Sequence, residues 1–116
     1  MKLVSYKTEN QEHLGIYYKG HIYNLNSCDK QIPDNMADFL KGEAPLMKKA
    51  HLIQTALEAG RTFKEEVFYE LTSPVPHPTS CRDGYAFRQH VATARRNRKV
   101  PMIPEFDQYP VFYFTK

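Results

Sequence analysis

Three prolines fall within six residues at 73–78, in the stretch SPVPHP. Each fixes its own φ and removes a backbone donor, so neither a helix nor a paired central strand can run through this stretch. The segment predicts extended connecting chain and divides the sequence into a domain at 1–72 and a second at 73–116. Charge divides at the same place: residues 1–72 carry nine Lys or Arg against ten Asp or Glu, whereas 73–116 carry seven against three. The whole net charge of +3 therefore belongs to the C-terminal third. Such an excess points to an anionic ligand or nucleic acid, or to an ordinary solvated end.

Ahead of the prolines, β-branched and aromatic content predicts antiparallel strands over 2–7, 13–19 and 21–25, with a turn at Lys19-Gly20. Pro33-Asp34 predicts the start of a short helix capped by the Asp34 carboxylate and stopped by Gly42. Leu46, Ala50, Ile53 and Leu57 recur at helical spacing, which predicts a packing helix over 44–59 ending at a left-handed Gly60. Its opposite face, with Lys48, Lys49, Gln54 and Glu58, reads as solvated. Over 63–72, Val67, Tyr69 and Leu71 alternate with Glu66, Phe68 and Glu70, the pattern of one strand.

Beyond the prolines, Phe87, Val91 and Ala94 form one stripe of a helix expected over 83–94, with Arg95, Arg96, Arg98 and Lys99 at its C-terminal end. Pro101 and Pro104 close that region, and VFYF at 111–114 lacks alternation, as in a strand buried on both faces. Either the sequence is cut short there, or the strand slots between the N-terminal ones.

Leu, Ile, Val and Phe make up 26 of 116 residues, enough for a folded chain with a modest core. The opening MKLVSYKTEN has no apolar run of signal-peptide length, and no segment reaches the length of a membrane span. The expected location is cytoplasmic, with Cys28 and Cys81 as reduced thiols.

The ionisable groups concentrate in PHPTSCRDGYAFRQHVATARRNRK. Asp83 and His90 stand seven apart, so two helical turns would return both to one face, about 10 Å apart along the axis. Asp83 is a hard oxygen ligand for Mg²⁺ in one reading and a helix cap in the other, which the pattern favours. His90 is a general base or an ordinary surface histidine. A Cys81–His90 nucleophile pair would need a close approach that sequence does not show, and a zinc site from His77, Cys81 and His90 lacks the paired ligand spacing of structural zinc sites. The basic run with Tyr109, Phe112 and Tyr113 has the residue types for binding nucleic acid, but no recognised motif accompanies it, so no nucleic-acid partner is expected.

SPVPHPTSCRDGYAFRQHV followed by IPEFDQYPVFYF resembles the start of the conserved region of the fumarylacetoacetate hydrolase family, and MKLVSYK, LGIYYKG and HIYNL resemble its small N-terminal β-rich segment. The resemblance implies an α+β chain: a small β-rich N-terminal domain with helices, then the first helix and strand of a β-rich catalytic domain that is incomplete here. It implies metal-dependent cleavage of carbon–carbon bonds in acylpyruvate-type 1,3-diketo acids, or decarboxylation or isomerisation of related keto acids. Asp83 is implied as a metal ligand for Mg²⁺, Mn²⁺ or Ca²⁺, His90 as the base that activates water, and Tyr113 as a substrate contact. A basic residue of the Arg98-Lys99 pair is a weaker candidate for the substrate carboxylate. The family's glutamate pair and further aspartate are absent, which implies weak metal binding and negligible turnover by this chain alone. The implied partner is a small keto acid, with a homodimer open to the full-length protein and no membrane. The competing expectation is a self-standing binding module that presents the basic third to an anionic partner.

Overall fold

The computed structural model describes the backbone of residues 1–85, 87–108 and 111–115, and the side chains of 1–81 and 87–108. It shows an α+β chain in two units, Met1–His77 and Pro78–Lys116, which meet inside the proline stretch.

The first unit opens with β1 (Lys2–Thr8), β2 (Gln11–Tyr18) and β3 (His21–Asn24), an antiparallel meander. Two-residue turns join them, and all four turn residues have positive φ: Glu9 and Asn10 in the first, Lys19 and Gly20 in the second. That is the backbone sense which matches the right-handed twist of the flanking strands. Three helices follow: α1 (Leu25–Cys28), α2 (Met36–Lys41) and α3 (Glu43–Glu58).

The cap of α2 is Asn35, not the expected Asp34. The Asn35 side chain accepts from the amide of Asp38 at 2.8 Å, while the Asp34 carboxylate is engaged by β2 and Asn24. Along α3, Ala50, Ile53 and Leu57 are buried as the spacing predicts, and Leu46 packs against the same core. Pro45 sits in its first turn, where amides have no helical partner to lose. Gly60, at φ +85°, ends α3: its amide bonds Leu57 and the next amide, of Arg61, bonds Ala56. These two bonds form the Schellman motif, and the left-handed position suits glycine.

Residues 63–72 are not one strand. They form β4 (Glu65–Glu66), paired with β3, and β5 (Glu70–Leu71), paired with β1, giving the sheet order β4-β3-β2-β1-β5. A flat sheet would hold its outer strands about 19 Å apart. The four residue steps from Glu66 to Glu70 reach about 14 Å, so the sheet must curl to bring its edges together. The alternation at 67–71 has no buried face behind it, and Val67, Phe68 and Leu71 are exposed.

Curling gives the sheet two packed faces. One carries Leu14 and Ile16 against Leu25, Ile32, Met36, Phe39 and α3, the principal core. The other carries Tyr6 and Ile22, both buried, over Gly15. A methyl group at Gly15 would lie 2.8 Å from the Ile22 side chain and 3.1 Å from the Tyr23 carbonyl, so the strands approach here only because no side chain intervenes. The proline stretch bends instead of running straight and is tied to the sheet by Ser5, whose hydroxyl donates to the Pro74 carbonyl at 2.9 Å.

In the second unit, β6 (Cys81–Tyr85) and β7 (Val111–Thr115) make a two-stranded antiparallel ribbon, with α4 (Arg88–Asn97) between them in sequence. The helix does not begin at Asp83, because residues 81–85 take a complete five-residue register with 111–115. The last strand therefore pairs within its own unit and is not inserted among β1–β3. α4 stops at Asn97, ahead of Pro101, in a second Schellman motif: Lys99, at φ +56°, bonds Arg96, and the amide of Val100 bonds Arg95.

Candidate functional site

The ribbon and α4 place the three residues on which the family resemblance rests. Asp83 is the middle residue of β6 and Tyr113 the middle residue of β7, and the two are direct cross-strand partners. Such partners have Cα atoms about 4.5–5.5 Å apart, so the chain from 84 to 112 returns Tyr113 to the position opposite Asp83. Their side chains lie outside the described residues.

His90 stands in the first turn of α4, exposed, in a shallow hollow with Phe87, Gln89 and Thr93. Because Asp83 is in a strand and His90 in a helix, the common helical face and the capping role expected of Asp83 both fall away. The N-terminal flank of α4 is Phe87, which offers no side-chain cap. α4 lies in contact with β6, so strand and helix bring 83 and 90 into one small unit by a different route.

Of the basic run, Arg95 donates to the Pro101 carbonyl, and Arg95 and Arg96 occupy the last turn of α4, where cations meet the negative helix end; ahead of the run, Arg88 donates to Asp107 at 3.1 Å. His77 bonds Glu12 of β2 at 3.0 Å, within the first unit. Among the described residues no group of three or more His, Cys, Asp or Glu converges as a metal site. Both cysteines are free thiols; Cys81 is exposed, whereas burial pushes the half-buried Cys28 thiol up, with Arg61 pulling weakly the other way.

A second constellation, in the first unit, escaped sequence reasoning. His13 Nδ1 is 2.7 Å from Asp34 Oδ2, and His13 Nε2 is 2.8 Å from the Thr8 hydroxyl. A carboxylate can only accept, so Nδ1 carries a proton, and in the neutral ring Nε2 accepts from Thr8. The other Asp34 oxygen accepts from Asn24 at 2.8 Å and from the amide of Leu14 at 3.4 Å. Asn24 donates also to the Tyr6 hydroxyl at 2.9 Å and accepts from the Ser27 amide, capping α1. Burial raises the Tyr6 phenol well above its ordinary range, opposed by the bond from Asn24, so it stays neutral. Thr8 pairs with Gln11 across a two-residue turn and His13 lies two residues beyond, so both fall on one face of the hairpin. Asp34, twenty-one residues from His13, carried no such local signal.

Compared with family models, with curated proteins and with solved structures, the chain finds no match in any of the three. No helix among the described residues is long and apolar enough to cross a membrane.

Proposed function

We propose that this chain carries part of the site of a metal-dependent hydrolase of the fumarylacetoacetate hydrolase type, acting in the cytoplasm on acylpyruvate-like 1,3-diketo acids. The observation that carries the reading is the register of β6 with β7, which sets Asp83 opposite Tyr113 while α4 presents His90 from the same unit. In this reading Asp83 gives one oxygen to Mg²⁺ or Mn²⁺. Such an ion, held in part by Asp83, would supply Lewis-acid stabilisation of negative charge developing on the substrate oxygens. His90 takes a proton from the water that attacks the carbonyl carbon, and Tyr113 contacts the substrate.

A single carboxylate leaves most of an ion's coordination to water, so binding is weak and turnover by the isolated chain negligible. Calorimetry with an acylpyruvate tests the reading. Weak binding that requires Mg²⁺ and disappears in Asp83→Asn is the expected result. Keto-acid binding indifferent to both the ion and that substitution overturns it.

A further inference from the structure

From the geometry around His13 we propose a separate acyl-transfer site in the first unit, with Thr8 as nucleophile, His13 as general base and Asp34 as the group that orients it. The three stand in the order that such chemistry requires: hydroxyl to Nε2 at 2.8 Å, Nδ1 to carboxylate at 2.7 Å. Both distances are within hydrogen-bond reach, and the orienting carboxylate is itself held by Asn24 and by the Leu14 amide. The His13 ring also lies 5.3 Å from the Tyr6 ring, which limits its rotation.

The site is open to a ligand. Thr8 is partly exposed and lines a hollow of about 460 Å³ together with Glu9, Lys64, Glu65, Glu66, Val67 and Phe68. Val67 and Phe68 are exposed and provide apolar contact, Phe68 at 88% exposure. Three glutamates against one lysine make the rim acidic, which repels anionic substrates and favours a neutral or cationic ester. Lys64 is the one cation among the residues lining the hollow.

In the first step a bond forms between Thr8 Oγ1 and the ester carbonyl carbon, the hydroxyl proton passes to His13 Nε2, and the bond to the alcohol oxygen breaks as that oxygen takes the proton from His13. Water then attacks the acyl-threonine with His13 again as base, which releases the carboxylic acid and restores the hydroxyl. No oxidant or co-reactant is needed.

A fluorophosphonate tests the proposal on the intact chain, because the displacement of fluoride by Thr8 leaves a stable adduct that peptide mass spectrometry locates. The expected result is modification at Thr8, retained in Thr8→Ser and absent in Thr8→Val. Labelling at least about a hundredfold slower in His13→Gln is also expected. A probe bearing a trimethylammonium group should label faster than its carboxylate counterpart. No adduct at Thr8 in the unaltered chain overturns the proposal, whether or not the His13 variant folds. Labelling of Thr8 at an unchanged rate in a folded His13→Gln protein overturns it equally.

Discussion

The two units solve the same problem, ordering a short chain, with different means. Met1–His77 wraps a curled five-stranded sheet around one packed face and lays three helices on the other; Pro78–Lys116 has a two-stranded ribbon and one ten-residue helix. Of the buried apolar side chains among the described residues, Val91 alone belongs to the second unit. A two-stranded ribbon and a helix of that length are each marginal in water without a core behind them. The first unit therefore holds its polar network beside a described core, while the residues of the proposed metal site belong to the second unit.

The largest expected effect breaks the first unit. Phe39 is 1% exposed at the centre of the principal core, so Phe39→Ala should cost about 3–5 kcal/mol. Chemical denaturation followed by far-ultraviolet circular dichroism measures it. In the second unit, Val91→Ala removes two methyl groups and should cost about 1.5 kcal/mol, felt as reduced amide protection in α4. The denaturation midpoint of the first unit should stay where it was. A shift of that midpoint by the Val91 substitution would mean that the two units are not energetically separate.

The smallest effect concerns the two matching helix ends. The first unit uses Gly60 at the left-handed position and the second uses Lys99, whose Cβ makes that conformation costly. Lys99→Gly should stabilise the end of α4 by about 0.5 kcal/mol, the relief of strain exceeding the added chain entropy. Hydrogen exchange at the amides of Lys99 and Val100, which close the motif, reads the change directly.

What could be read from the chain before its structure followed locality. Glycine at a turn and apolar residues at helical spacing act within a few residues, so the Lys19-Gly20 hairpin and α3 with its Gly60 terminus stand where their residues predict. Failures came where distant chain decided the outcome. Glu66 and Leu71 look like one strand until β3 and β1 claim opposite ends of the segment. Asp34 reads as a cap until His13 and Asn24 compete for its carboxylate, and Asp83 reads as helix until residues 111–115 pair with it. For the candidate site, sequence named Asp83, His90 and Tyr113 through their motifs, whereas the pairing of 83 with 113 is a property of strand register that no local pattern encodes.

The proposed binding of a divalent ion at Asp83 is open to titration of the isotopically labelled chain with Mn²⁺, followed by amide line broadening. Broadening that spreads from Asp83 to its strand partner Tyr113 and to His90, and that vanishes in Asp83→Asn, is the expected result. Broadening centred elsewhere, or undiminished by that substitution, would contradict it.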